Sequence, residues 1–251
     1  MDQQGFVDYQ TDEQGVGTIT FSHPAHNALP GYLLRALCDA IMHAGEDAAV
    51  RVILLQSAGN RTFCAGASFD ELSAIQTKED GLRFFSGFAD VINACRTSPK
   101  LIVGRVQGKA VGGGVGLVAA VDYCVATRES AVRLSELSLG IGPFVIEPAL
   151  ERKIGKAAVA RLSIDAMQWM PAEWALSKGL YEAVYDSAAD MDAAIARLLS
   201  QLCTYSPQAM QALKKILWGG TEHWDELLKQ RAALSGELML ERNEDNEGMK
   251  E

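Results

Sequence analysis

Two short loops rich in glycine and alanine are the first places in this sequence where chemistry can be expected. CAGAS occupies residues 64–68 and VGGGVG occupies residues 111–116. Each loop follows an apolar run that predicts a buried strand, and each precedes a segment with helical character. Backbone N–H groups at a helix start lack partners inside the helix, so they can stabilise negative charge on a bound oxygen atom. The alternative is a tight turn in which glycine serves only for its conformational freedom.

Carboxylates in apolar surroundings are the second candidates, because burial raises the pKa of a carboxyl group and so suits it to acid–base work. Glu136 lies between AVRL and LSLGI, two apolar runs. Glu147 lies in FVIEPAL, where it either faces the same site or simply begins a helix ahead of Pro148. Glu136 is therefore the stronger candidate for acid–base chemistry.

Cysteine and histidine do not indicate a second centre. Cys64 adjoins the first loop, but no histidine lies near it in sequence, so it is interpreted as a small packing residue rather than a nucleophile. The histidines do not have the spacing of metal ligands, and we expect no metal site. They are His23, His26, His43 and His223.

Alternating strands and helices must position these loops. The predicted elements are strands at 6–9, 17–21, 52–55, 101–106, 123–126 and 131–134, and helices over 33–42, 81–94 and 115–121. Asn27 and Pro30 are predicted to cap and open the first helix. This order favours an α/β fold with a mostly parallel sheet, in which both loops lie at the carboxyl ends of strands. Their N–H groups can then converge on one oxygen atom, as needed to stabilise an enolate.

The character of the sequence changes after about residue 160. Helical patterns follow one another at 156–164, 171–178, 190–203, 206–218 and 222–241, interrupted by one predicted strand at 181–185. We therefore predict a core over 1–190 that holds the site and a helical C-terminal part over 191–251, which we expect to supply subunit contacts.

Composition narrows the possible partners. The chain has 251 residues, is 48% hydrophobic and carries a net charge of −9, with Lys and Arg scattered along it, which disfavours nucleic acid and anionic membranes. Five cysteines without a C-x-x-C pair indicate reduced thiols. The polar N-terminus and the lack of any apolar run near ~18 residues disfavour secretion and membrane insertion. We expect a cytoplasmic protein.

Several motifs in a fixed order resemble the crotonase, or enoyl-CoA hydratase/isomerase, superfamily. They are HPAHNAL at 23–29, FCAGAS at 63–68, GGGVGL at 112–117 followed by Asp122, and SELSLGI at 135–141. The resemblance covers nearly the whole chain. It implies a spiral ββα core with a helical C-terminal part, and a homotrimer or dimer of trimers.

The resemblance also implies a substrate and its contacts. The substrate is a thioester of coenzyme A, or of phosphopantetheine on an acyl-carrier protein, with its carbonyl oxygen between the amides of Ala67 and Gly113. The backbone around Ala65, with Cys64 and Ser68 beside it, is then expected to contact the coenzyme. Coenzyme A enters as part of the substrate, so no permanently bound cofactor is expected.

One position departs from the family members that use two glutamates. Gly116 stands where they carry the first catalytic glutamate, and Glu136 fills the place of the second. The sequence therefore resembles single-glutamate members, including dehydratases that convert 3-hydroxy-3-methylglutaryl thioesters to 3-methylglutaconyl thioesters. A hydratase or dehydratase with Glu136 as acid–base is the favoured prediction. An enoyl-CoA isomerase with Glu136 as the sole proton shuttle is the alternative.

Two readings from other classes remain open. The stretch from Gly114 to Ala119 matches a G-x-G-x-x-A dinucleotide fingerprint, with Glu129 or Glu136 downstream, which would suit an NAD-binding oxidoreductase. That fingerprint normally opens the first strand–helix–strand unit, whereas two strands and two helices precede it here. Gly116 also permits a protein that binds thioesters without catalysis.

Overall fold

Two sheets form the core of the fold. The structure is a computed structural model that describes residues 5–248, with side chains described through residue 243. The strands are β1 (Phe6–Thr11), β2 (Val16–Ser22), β3 (Val52–Ser57), β4 (Thr62–Cys64), β5 (Ile102–Val106), β6 (Lys109–Val111), β7 (Tyr123–Thr127), β8 (Val132–Arg133) and β9 (Ala183–Tyr185). The larger sheet has the order β1-β2-β3-β5-β7-β9 and the smaller has the order β4-β6-β8. Among these strands β1 and β2 pair antiparallel and the other pairings are parallel.

Helices connect the strands and make up most of the C-terminal third. They are α1 (Gly31–Glu46), α2 (Phe69–Ser73), α3 (Lys78–Thr97), α4 (Gly113–Ala120), α5 (Glu147–Ile164), α6 (Ala172–Lys178), α7 (Ala188–Thr204), α8 (Pro207–Leu217) and α9 (Trp224–Gly248). A 3₁₀ turn spans Glu136–Leu139. The predicted alternation of strands and helices, and the helical C-terminal part, are confirmed.

The larger sheet is covered on both faces. Ile53 and Leu55 of β3 belong to the main apolar core with α1, α3 and α4, whereas Val52 packs with Met191 and Ile195 of α7 on the opposite face. Successive side chains of a strand point to opposite faces, so a strand buried on both faces reads as a continuous apolar run. This is why 52–55 and 101–106 were recognisable as strands.

Asn27 does not cap α1 as predicted. Its φ is 58°, and its side chain accepts a hydrogen bond from the His23 N–H and donates to the carbonyl oxygens of Ala58 and Thr62, each at 2.9 Å. The helix instead starts after Pro30, and the N–H of its first residue, Gly31, donates to Glu71 Oε2 at 2.8 Å. A buried amide with left-handed backbone thus fastens the segment before α1 to the segment before β4.

The structure also corrects the predicted positions of the two glycine–alanine loops. They do not follow the strands of the larger sheet directly, because β4 and β6 intervene and pair with β8 in the smaller sheet. These strands are too short to show a period in the sequence. The loops still meet at one edge, since all three strands of the smaller sheet are parallel.

The helical C-terminal part is packed onto the core of the same chain. Helix α7 spans the predicted boundary at residue 190 and covers the larger sheet, and α9 runs along α3. The backbones of α3 and α9 lie close together where Gly81 meets Gly236. The end of the predicted part, 249–251, lies outside the described residues, and its role in subunit contacts stays a prediction. Within 5–248 no helix has the length and apolar character required to cross a membrane.

Candidate active site

A cavity of about 420 Å³ lies beyond the carboxyl ends of the three strands of the smaller sheet. Its lining includes the loop after β4, the turn after β6, and the segment after β8 that carries Glu136. Other parts of the wall come from α2, α3, the segment 141–146, Met167 and α9, with Phe85 and Phe88 on α3 and Ser235 on α9. Most of these lining groups are apolar, so the few polar groups among them decide what the cavity binds.

The segment before α1 holds the first loop in place. The Ala65 N–H donates to the His26 carbonyl oxygen at 3.2 Å, and the Leu29 N–H donates to the Gly66 carbonyl oxygen at 2.8 Å. Leu29 and Ala67 form an isolated parallel bridge. The 23–29 motif therefore acts as a backbone clamp on the loop that presents the Ala67 amide.

The two glycine–alanine loops lie against each other. Gly66 has a φ of 89°, and a Cβ atom there would lie 2.8 Å from the Val111 carbonyl oxygen and 3.4 Å from the Gly113 nitrogen. Glycine is needed for both that backbone angle and that approach. Ala67 and Gly113 line the cavity, and no acceptor in the described part of the chain takes either N–H. Two free donors on adjoining loops suit the stabilisation of an oxyanion.

Phe88 explains why the second donor must come from glycine. A Cβ atom on Gly113 would lie 2.2 Å from the Phe88 ring, which also lines the cavity. Gly113 is the first residue of α4, so its N–H has no partner within the helix. Phe88 was recognised in the sequence only as part of an apolar helix face.

Glu136 begins the 3₁₀ turn and places its carboxylate beside the second loop. A Cβ atom on Gly112 would lie 3.0 Å from Glu136 Oε1. Glu136 Oε2 is buried and has no hydrogen-bond partner among the described residues. Burial raises the pKa of Glu136 to about 7, although hydrogen bonds from the backbone of Glu136 and Ser135 oppose the shift. A carboxyl group with this pKa can both accept and return a proton near neutral pH.

Gly116 has no room for a carboxylate. A Cβ atom there would lie 2.3 Å from Ile146 Cγ2, so Ile146 fills the space beside α4 that a side chain at position 116 would need. Glu147 does not replace it: it begins α5, and its pKa is raised by burial and by a hydrogen bond with Glu151. Glu147 is not part of the cavity lining, whereas Glu136 is.

Four of the predicted site residues line one cavity: Ala65, Ala67, Gly113 and Glu136. Cys64 and Ser68 are not among its lining residues. Cys64 is fully buried, its sulfur accepts a hydrogen bond from the Gly66 N–H at 3.4 Å, and burial raises the pKa of its thiol to about 12. Its side chain is therefore a packing residue, as the sequence indicates, and the expected contact of this residue with the coenzyme stays a prediction.

Ser68 has a structural task as well. Its Oγ accepts a hydrogen bond from the Glu71 N–H at 3.4 Å and caps α2. A small residue in a loop gives no sequence signal that separates a cap from a ligand contact, and the expected coenzyme contact of Ser68 stays a prediction.

Arg133 also lines the cavity, although it belongs to none of the sequence motifs. It is the last residue of β8 and lies three positions before Glu136. A basic residue at the end of a predicted strand beside a candidate catalytic residue was the available signal. Among the described residues, no group of three or more His, Cys, Asp or Glu side chains is arranged to hold a metal ion.

Comparison with known proteins shows the family. A family model described as enoyl-CoA hydratase/isomerase matches residues 11–251. The chain is 28% identical to a probable enoyl-CoA hydratase of Bacillus subtilis over 90% of this chain and 87% of the relative. It is 26% identical to the human ethylmalonyl-CoA decarboxylase over 92% of this chain and 76% of that protein.

The fold agrees with this assignment. The crystal structure of an enoyl-CoA hydratase from Bacillus halodurans superposes with a TM-score of 0.87, at 23% identity, over 95% of this chain and 99% of that one. With a family model that spans nearly the whole chain and an α/β architecture shared with a crotonase-fold structure, the chain belongs to the enoyl-CoA hydratase/isomerase, or crotonase, family.

Proposed function

We propose that this protein is a hydratase or dehydratase of enoyl thioesters that uses Glu136 as its general acid and base. The observation that carries the proposal is the carboxylate itself: Oε2 of Glu136 is buried and unpartnered in a largely apolar cavity, next to two amides without acceptors. An unpartnered buried carboxylate costs stability, so its retention in the cavity points to a task in catalysis.

The chemistry follows from that arrangement. The amides of Ala67 and Gly113 hold the thioester oxygen and stabilise the negative charge that appears on it when a proton leaves C2. Glu136 takes that proton. The enolate then reforms the carbonyl as the C3–O bond breaks, and Glu136 returns the proton to the departing hydroxyl, which leaves as water. Hydration is the reverse sequence, and one carboxylate serves in both directions.

An isomerase is the second candidate, and the lack of room for a side chain at Gly116 favours it. Because Ile146 fills the space beside Gly116, Glu136 is the one carboxylate on the described cavity wall. A single carboxylate suffices to remove a proton from C2 and return it to C4, whereas positioning a water molecule usually benefits from a second polar group. Both candidates share the enolate and differ in where the proton goes.

The carrier and the assembly are part of the proposal. The thiol carrier is coenzyme A or phosphopantetheine, and its adenine end, where present, approaches the backbone near Ala65. The active protein is a homotrimer or a dimer of trimers. Support for the carrier comes from the family, whose members named above act on coenzyme A thioesters according to their names. The candidate acyl groups are a 3-methylglutaconyl and a 3-hydroxy-3-methylglutaryl chain.

The experiment is incubation with a panel of 2-enoyl, 3-enoyl, 3-hydroxy and 3-methylglutaconyl thioesters, followed by mass spectrometry and chromatography. Gain or loss of one water supports the hydratase, and a changed retention time at constant mass supports the isomerase. A malonyl-type thioester is added to the panel, and its loss of carbon dioxide would instead support decarboxylation. Binding of the panel without any product would support a thioester-binding protein, and conversion that depends on a nicotinamide cofactor would support an oxidoreductase.

Glu136→Gln tests the proposed role in whichever reaction is found. Glutamine keeps the size of the side chain but cannot take up a proton, so turnover should fall ~10²–10⁴-fold, the usual contribution of a general base. Thioester affinity should change little, because the amides hold the carbonyl. Glu147→Gln is the matched control and should keep wild-type turnover. Normal turnover by Glu136→Gln would overturn the mechanism.

A further inference from the structure

Arg133, which lines the cavity, shares the aromatic ring of Trp169 with a second cation, the exposed Lys109. In the smaller sheet Val111 pairs with Arg133, so the side chains of Lys109 and Arg133 project from the same face. Val132 forms an antiparallel bridge with Met170, which sets Trp169 beside Arg133. The Arg133 guanidinium carbon lies 4.6 Å from the Trp169 ring centroid, and Lys109 Nζ lies 4.9 Å from it.

These two cations lack an anion. Neither forms an ion pair or a side-chain hydrogen bond with the residues whose side chains the structure describes, 5–243. Arg133 Nε is buried and has no acceptor there. By contrast, Arg105 pairs with Asp192 and Arg128 pairs with Asp186. In a chain of net charge −9, two neighbouring cations without a carboxylate are well suited to bind an anion from outside.

Of these two cations, Arg133 is the one that belongs to the cavity lining. Arg133 lines the same cavity as Glu136, and it is the one basic residue among the described lining residues. Oε2 of Glu136 and Nε of Arg133 are both buried without partners, so they are not bonded to each other. Neither atom has a hydrogen-bond partner within the described part of the chain, so a ligand that reaches the site can supply one. Stacking on Trp169 orients the guanidinium plane and limits the entropy lost when it binds.

We infer that Arg133, oriented by Trp169 and assisted by Lys109, forms an anion subsite for the thioester in this cavity. The group it binds has the planar or tetrahedral oxygen arrangement of a carboxylate or phosphate, which a guanidinium can engage through two hydrogen bonds. Two parts of a thioester carry such oxygens, namely an acidic acyl chain and the phosphates of the carrier. The inference rests on the proposed function only in that the ligand is a thioester.

Isothermal titration calorimetry with saturated thioesters tests the subsite without requiring turnover. The probes are glutaryl-CoA, with a terminal carboxylate, and butyryl-CoA, which lacks one, together with the glutaryl and butyryl thioesters of pantetheine, which lack phosphates. Arg133→Met removes the charge and keeps an apolar contact with Trp169. Loss of a charged hydrogen bond should weaken binding by about tenfold or more.

The pattern of loss identifies the anion. If Arg133 binds the acyl carboxylate, Arg133→Met weakens both glutaryl thioesters and leaves both butyryl thioesters unchanged. If it binds a carrier phosphate, the variant weakens both coenzyme A thioesters and leaves the pantetheine thioesters unchanged. Either pattern supports the subsite, and Lys109→Gln should weaken the same probes to a smaller extent.

Other results overturn it. Unaltered affinity for all four probes in Arg133→Met, or no binding of any probe by the wild type, would show that no such subsite exists. Equal weakening of all four would mean a general structural effect. Arg128→Met is the matched control, because Arg128 is exposed and paired with Asp186 and Glu173 outside the cavity. Turnover by Glu136→Gln bears on the proposed function alone, so the two ideas fail separately.

Discussion

The buried carboxylate of Glu136 makes the stability of this protein depend on pH. Its pKa is raised from 4.5 to about 7 by burial. Between these values the folded state binds more protons than the unfolded state, so the free energy of unfolding falls as pH rises through this window. Below this window the carboxyl group is neutral in both states, so burying it does not lower the free energy of unfolding. Above the window burial of the ionised carboxylate lowers the free energy of unfolding by about 3 kcal/mol, as expected for a pKa shift of this size.

Glu136→Gln should therefore stabilise the protein, and only where the wild-type carboxyl is ionised. We expect the free energy of unfolding to rise by up to about 3 kcal/mol at pH 8 and to change little at pH 4, because glutamine is never charged. Urea denaturation at both pH values measures the difference. The same gain at both pH values would show that charge burial is not its cause.

Gly113 supplies the second amide under a steric constraint. Because Gly113 is the first residue of α4, proline is compatible with its backbone position, but a Cβ atom would meet the Phe88 ring at 2.2 Å. Phe88→Ala makes room. We expect the double variant Phe88→Ala/Gly113→Pro to lose ~10²-fold or more in turnover relative to Phe88→Ala, because it lacks one oxyanion donor.

Steady-state kinetics on the best substrate gives that comparison. Gly113→Ala in the Phe88→Ala background is the control, since alanine adds a Cβ atom but keeps the N–H. Equal turnover in the proline and alanine variants would place the oxyanion donor elsewhere.

Among the secondary-structure elements, the sequence predicts those that are long enough to show a hydrophobic period. The strands buried on both faces, the hairpin around Asp12 and the long helices were all recognisable from their patterns. The strands β4 and β6 span only three residues each and show no period, so β8, within the predicted strand at 131–134, is the one strand of the smaller sheet that the sequence indicates. Side chains at the site could be predicted only where they belong to a local sequence motif. Glu136 and the glycine cluster were visible as motifs, whereas Phe88, Ile146 and Arg133 act through contacts between distant segments.

The contact of α3 with α9 depends on two small residues. A Cβ atom on Gly236 would lie 2.7 Å from the Gly81 carbonyl carbon. Glycine to alanine in a helix ordinarily stabilises by about 1 kcal/mol, but overpacking at a close contact costs roughly 1–3 kcal/mol. We expect Gly236→Ala to lower the melting temperature, and calorimetry can measure the change. An increase would mean that α9 does not approach α3 this closely.

At the scale of the whole molecule, the C-terminal helices are tied to the core by polar contacts inside an apolar interface. Lys214 Nζ lies 2.9 Å from Asp122 Oδ2, and Trp218 Nε1 donates to Asp122 Oδ1 at 2.7 Å. Asp122 follows α4, so α8 is anchored one element away from the second glycine–alanine loop. Asp122 follows the GGGVGL motif in the sequence, which does not indicate its role. Its role is to hold the C-terminal part against the core through a buried ion pair that is costly to break.

That anchoring directs the opposite face of α8 outwards, where the predicted oligomer can use it. Leu213, Ile216 and Leu217 are exposed, with Ile216 76% accessible. A second copy of the chain would remove this apolar surface from water, and the predicted trimer supplies such copies. We expect Ile216→Glu to reduce the mass measured by sedimentation equilibrium, because a buried charge opposes association. Lys215→Glu, which alters the neighbouring charge and leaves the apolar face intact, should keep the wild-type mass. An unchanged mass for Ile216→Glu would exclude this face of α8 from the subunit contacts.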